Sequence, residues 1–200
     1  MKKLLRTTTH KSAFSLIELL VVIAIAAILI GLAVPSLTSI TGGRKLDQAG
    51  TQITDALSLA RQSAMAQGCR VRWEFAETGS NGFSIHRLME FKNGAWSSGS
   101  KWVELPDNVG LNTNLSRSSL MGTNTLLTNA SFSRRGTNFS NRRMIGVTFL
   151  PDGTTLLPSA SSSFLTLEPL QGPKDGSGNS ANWLCVVINP ATGRAETYRP

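Results

Sequence analysis

The sequence predicts an α+β protein, with a long N-terminal hydrophobic helix packed on a C-terminal antiparallel β-sheet domain. Three observations predict it. Residues 14–34 form a 21-residue run of almost nothing but Leu, Ile, Val and Ala, interrupted by one charge, Glu18. Apolar residues then recur at three- and four-residue steps from Leu46 to Ala64, the spacing of one helical face. From Cys69 onward, short segments alternate apolar and polar, the period of half-buried strands. Two hundred residues, 40% of them hydrophobic, suit one globular domain with an appendage.

The first element, residues 1–13, is a basic leader: Lys2, Lys3, Arg6 and Lys11 are its only charges. It accounts for half of the net charge of +8, and the chain beyond residue 35 is only mildly basic. The second element, residues 14–35, rises about 1.5 Å per residue as a helix, so it spans roughly 30 Å, the thickness of a bilayer core. Cations before it and none directly after predict a cytoplasmic N-terminus and an exported C-terminal part. A cleaved secretory signal has a shorter apolar region, and the residues 31–35, Gly-Leu-Ala-Val-Pro, make a poor peptidase site. An ordinary signal anchor accounts for the length and charge but leaves Glu18 unexplained. A carboxylate within such a segment costs about 2.5–3.5 kcal/mol and calls for a partner or a function. A cut between Ala13 and Phe14 would create a free amine one turn from Glu18. Staggered parallel helices would then bring Glu18 of one chain to the amine of the next, a buried pair that sets register more than it adds stability.

The stretch Lys11-Ser12-Ala13-Phe14-Ser15-Leu16-Ile17-Glu18-Leu19-Leu20-Val21-Val22 resembles the cleavage and methylation signal of type IV pilins and pseudopilins. The resemblance implies cleavage before Phe14 by a prepilin peptidase, N-methylation of Phe14, an assembly role for Glu18, and a helix kink at Pro35. Ala13 stands where the family usually has Gly. Implied partners are the prepilin peptidase, other pilin or pseudopilin subunits bound through the N-terminal helix, and an inner-membrane assembly platform. The implied location is the bacterial inner membrane, single-pass, with the C-terminal domain periplasmic or extracellular, and a filament after assembly.

Residues 36–68 are expected to form the exported, amphipathic half of the helix. The pattern falters at Thr41-Gly42-Gly43, a joint or a break, then resumes with Leu46, Ala49, Ile53, Ala56, Leu57, Ala60 and Ala64. Arg44, Lys45, Asp47, Asp55 and Arg61 are left to face water, and Gln67-Gly68 is a helix stop. Residues 69–200 are expected to form the β domain. Strand candidates lie at 71–75, 83–88, 102–105, 145–150, 164–167 and 184–188, with a final hairpin whose second strand covers 194–199. Loop insertions are expected near 107–141 and 171–182, where Asn, Ser, Thr and Gly dominate. Three later segments are similar to minor pseudopilins of the GspH/FimT type: residues 59–64, the turn Phe149-Leu150-Pro151-Asp152-Gly153, and the run from Val187 to Arg194. That resemblance implies a minor pseudopilin of a type II secretion pseudopilus or a type IV pilus.

The sequence carries no sign of an enzyme. His86 is the one histidine outside the leader and reads as structural, no His/Cys/Asp grouping has metal spacing, and no phosphate loop or GxSxG context occurs. No metal or cofactor is expected. Cys69 and Cys185, in an exported domain, are either bonded to each other or two free thiols. Arg134, Arg135, Arg142 and Arg143 bracket residues 136–141, with Phe132 and Phe139 nearby. Basic pairs beside aromatics suit phosphate contact and base stacking, although a solvated loop is the simpler reading. Some FimT-like proteins bind DNA through a basic Gly-Arg-x-Arg element. Here Gly193-Arg194-Ala195-Glu196 keeps the first arginine and replaces the second with an acid, which weakens DNA as a partner.

Overall fold

A computed structural model describes residues 15–79, 82–122, 125–159, 162–172 and 174–199, without the side chains of 31–42 and 128–129. One helix, α1, is assigned over Leu16–Gln67. Helix continues through Pro35 and the Gly42-Gly43 pair, where the sequence pattern suggested a weak point. A glycine costs only about 1 kcal/mol relative to alanine within a helix, a penalty and not a stop. The chain divides into two compact units between Thr41 and Gly42, each described by itself.

The second unit holds the C-terminal half of α1 and ten strands: β1 Arg70–Glu77, β2 Phe83–Lys92, β3 Ala95–Ser98, β4 Val103–Glu104, β5 Val109–Leu111, β6 Leu126–Arg134, β7 Thr137–Phe149, β8 Ser163–Pro169, β9 Leu184–Ile188 and β10 Ala195–Tyr198. They make two sheets. The first has the order β3-β2-β1-β7-β6, with β4 also on β2, and the second has the order β10-β9-β8-β5. Every pairing in both is antiparallel.

The stripe on α1 is the floor of the core. Leu46, Ala49, Ile53, Leu57, Ala60 and Ala64 are fully buried, in one cluster with Val71, Trp73 and Phe75 of β1, Ile145, Val147 and Phe149 of β7, and Leu165, Val186 and Ile188 of the second sheet. The helix approaches β9 so closely at Gly50 that a Cβ there would lie 2.7 Å from Leu184. A second, smaller cluster sits on the opposite face of the first sheet: Ala76, Ile85, Phe132 and Met144, with Trp102, Ala130 and Phe139 packed on it.

The segment 107–141 is not the loop insertion its composition suggested. It contains β5, a 3-10 turn at Ser119–Met121, all of β6 and the start of β7. Pairing with β7 and β8 supplies the stability that its polar residues lack locally. Register shifts in β6 and a left-handed Asn141 (φ +58°) interrupt the ladder, and Phe132 joins the outer cluster. The segment 171–182 carries no strand among the described residues but is ordered by side chains. Asp175 Oδ1 accepts from the amides of Ser177 and Asn179, and the buried Glu168 accepts from Asn112 Nδ2 and the Ser180 amide.

Cys69 and Cys185 are free thiols in this structure, not bonded to each other. Cys69 packs at the edge of the main core, whereas Cys185 alternates with the core residues Leu184 and Val186 and so points to the other face of its sheet. Burial pushes the Cys185 thiol up.

His86 is buried on the helix side of β2, where Gln52 Nε2 lies 3.1 Å from its Nε2 and 2.7 Å from the Glu104 carbonyl. The amide donates to both, so the imidazole accepts and is neutral. Burial lowers its pKa from 6.5 to about 4. Between those values the unfolded chain binds a proton that the folded chain refuses, so stability is complete above pH 6.5 and falls as pH drops towards 4. The loss is about 3 kcal/mol in total. His86→Gln retains an acceptor for Gln52. Urea unfolding across this window should show its pH slope reduced by about one proton relative to the unsubstituted chain. An unchanged slope would count against the neutral buried histidine.

Candidate functional site

The first turn of α1 begins beyond Ser15, whose carbonyl accepts from the amides of Glu18 (3.0 Å) and Leu19 (3.1 Å). Glu18 is the acidic residue of that turn, where the positive end of the helix dipole favours an anion. From Leu16 to Ile30, eleven apolar side chains are 49–83% exposed, on every side of the helix. Water does not tolerate a helix that is apolar all round, so this surface requires a bilayer or other helices as its surroundings. Among the described residues no helix is long and apolar enough to cross a membrane. The run read from the sequence extends past the described side chains at both ends, which leaves 15–30, short of the roughly 20 residues that a span needs. Ala13 and Phe14 lie outside the described residues, as does the side chain of Pro35.

The arginines grouped in the sequence are not one patch. Arg143 forms a bidentate pair with Glu77 (Nε–Oε2 3.1 Å, Nη2–Oε1 3.0 Å), which holds the Glu77 carboxyl below its usual range. Arg134 and Arg135 meet Glu104, and Arg142 has a buried Nε without a partner among the described residues. These four lie on the β6–β7 hairpin, whose two-residue turn is Arg135-Gly136. Arg194 is exposed in the β9–β10 turn of the other sheet. The bracketed loop is therefore a hairpin, and its four arginines share two carboxylates, Glu77 and Glu104.

Arg61 corrects a different expectation. It does not face water freely: its Nε donates to the carbonyls of Gly153 (3.2 Å) and Thr192 (2.8 Å). One guanidinium thus ties the helix to the turn after β7 and to the β9–β10 turn. The three separate sequence segments noted above, around residues 61, 153 and 192, meet at this point. Gly193, at φ +65°, belongs to the same joint, and a Cβ there would run into the Gly153 carbonyl and within 3.1 Å of Arg61 Cδ. Helical periodicity placed Arg61 outside the apolar stripe but could not show which carbonyls would reach it. Asp47 is exposed, as expected, and accepts from Arg199 Nη1 at 2.5 Å.

Sequence reasoning also missed the buried Glu74, held by Arg72 Nε (2.9 Å) and Arg87 Nε (2.9 Å). The guanidiniums stack on Trp96 and Trp102, each 4.3 Å from the ring centroid. The signal available was Arg72 and Glu74 at alternate positions of one strand, but their partners come from β2 and beyond.

Two family models match the chain. The prokaryotic N-terminal methylation motif covers residues 8–34, and the type II transport protein GspH covers residues 49–192, well over half of the chain. Among solved structures, the type IV minor pilin FimU of Pseudomonas aeruginosa strain PAO1 is similar at 12% identity and a TM-score of 0.47, over 80% of this chain and 92% of that one. The minor pseudopilin EpsH of the type 2 secretion system of Vibrio cholerae is similar at 8% identity and a TM-score of 0.45, over 78% and 98%. Comparison with curated protein sequences gave no significant match.

The Arg61 joint makes a stability prediction. Arg61→Ala should cost about 2–3 kcal/mol, and Arg61→Lys more than half of that, since an ammonium lacks the planar fork. Gly193→Ala should cost at least about 2 kcal/mol through its left-handed backbone and the carbonyl it meets. Urea midpoints test both, and a loss of only a few tenths of a kcal/mol would refute the joint.

Proposed function

The chain belongs to the family of the type II transport protein GspH, as a pilin-like minor pseudopilin subunit, and from that premise we propose how it is cut, anchored and held in register. A prepilin peptidase removes residues 1–13, and the new N-terminus, Phe14, is methylated. The apolar helix first anchors the chain in the inner membrane, with its β domain on the far side. It then exchanges lipid for the helices of neighbouring subunits in a pseudopilus or pilus. The reading rests above all on one observation: eleven exposed apolar side chains surround a helix that carries a single carboxylate in its first turn.

Glu18 supplies the register. In lipid or between helices its charge is costly without a partner, and the free amine at Phe14 of an adjacent subunit is a cation that every copy brings. Because the amine and the carboxylate are one turn apart, satisfying the pair requires an axial offset between neighbours. Pro35, which removes one helical hydrogen bond, is the position at which the helix can bend. The family is one of structural subunits, and the Glu18 carboxylate has an assembly role here and no catalytic one.

Mass spectrometry of the protein from its own host should find an N-methylated Phe14 at the N-terminus. A chain beginning at Met1 would refute the processing. Glu18→Ala should be cut normally yet co-purify with other pilin-like subunits at least about tenfold less, because the amine loses its counter-charge. Normal co-purification would refute the register role.

A further inference from the structure

A cationic cleft lies between the β3–β4 connection and the tip of the β6–β7 hairpin. It is an open groove of about 640 Å3, and its lining includes Arg87, Lys101, Trp102, Ser133, Arg134 and Arg135. That volume suits a compact ligand or a few side chains of a peptide.

The cleft is short of negative charge. Glu74 is shared between Arg72 and Arg87, and Glu104 between Arg134 and Arg135. Lys101 is exposed and has no carboxylate partner among the described residues. With Glu90, which lies against the lining residue Gly99 and pairs with Lys92, six cations meet three carboxylates. Arg87 is preset by its hydrogen bond to Glu74 and its stacking on Trp102, so little ordering remains when an anion arrives. Burial, and after it the like charge of Arg135, hold the Arg134 guanidinium below its usual range.

We propose that this cleft binds an acidic peptide segment of a partner protein, its carboxylates taken by Lys101, Arg134 and Arg135. Two observations favour such a segment over a nucleic acid. The Arg134–Arg135 pair already holds a carboxylate, that of the half-exposed Glu104. The positive surface is also interrupted, because Arg143 is closed by Glu77, whose charge Arg142 also feels, Arg72 by Glu74 and Arg199 by Asp47. A nucleic-acid strand needs a row of phosphate contacts and aromatic platforms along its length.

Fluorescence anisotropy on the detergent-solubilised full chain tests the proposal at low salt. The probes are a fluorescein-labelled oligoglutamate peptide and an oligothymidylate of matched charge. The peptide should bind the more tightly. Lys101→Glu with Arg135→Glu, both exposed positions, should weaken it by at least about tenfold. Arg44→Glu with Lys45→Glu makes the same change in net charge on the exposed side of α1 and should alter binding less than about twofold. Equal losses in the two variants, tighter binding of the oligonucleotide, or no binding of the peptide would each overturn the proposal. Every lining residue belongs to the β domain, so failure here leaves the helix reading untouched.

Discussion

The β domain depends on burying one stripe of α1. Six residues, from Leu46 to Ala64, lie in one buried cluster with residues of both sheets. Each large side chain in such a cluster contributes about 1.5–3 kcal/mol relative to exposure. The stripe is narrow, with alanine at three of its six positions, so the sheets come close to the helix axis. Gly50 against Leu184 is one such approach. Polar contacts flank the stripe and orient what it attracts. Gln52 fixes β2 and β4 through His86 and the Glu104 carbonyl, Arg61 fixes two turns, and Asp47 takes the end of the chain at Arg199. Hydrophobic burial is non-directional, and these bonds supply the direction.

The outer face of the first sheet is built on different terms. There Glu74 is 2% exposed between two arginines, which in turn lie on tryptophan faces. A carboxylate buried this deeply is tolerable only with its lone pairs occupied, and removing one partner of such a pair usually costs about 3–5 kcal/mol. The aromatic cluster of Trp102, Phe132 and Phe139 closes one side, with ring centroids 4.7 and 5.0 Å apart. Guanidiniums that stack and hydrogen-bond at once are held in place, which makes the same face able to present positive charge at its rim.

The N-terminal half of α1 follows a third rule. Residues 16–30 satisfy their backbone within the helix and leave apolar side chains exposed for an apolar environment. Lipid and neighbouring helices are equivalent as solvents for leucine and isoleucine, so a subunit can leave one for the other at little cost. In the assembly proposed above Glu18 breaks the equivalence, because a bilayer offers it no fixed counter-charge and a neighbouring N-terminus would.

Much of this was legible in the sequence because it is written in local periods. The apolar run, the stripe on α1 and the alternation at residues 71–75, 83–88, 145–150, 164–167 and 184–188 each reflect a repeat of about 3.6 or 2 residues, which needs no knowledge of the partner. Glu18 stood out because it violates its own neighbourhood. β3 left a signal that went unused, the Asn93-Gly94 pair, both left-handed in a two-residue turn. The strand β6 and the first half of β7 left almost none, because polar residues became strands only through the ladder between them and the aromatic cluster they cover. The free thiols, the Arg61 joint and the pairing of Arg143 with Glu77 were decided by tertiary structure alone. Each depends on which face of which sheet a residue occupies, and on carbonyls and carboxylates that lie up to 131 residues away in the chain. Sequence determined the elements and the apolar helix; the fold decided which charges are spent on each other and which remain to meet a partner.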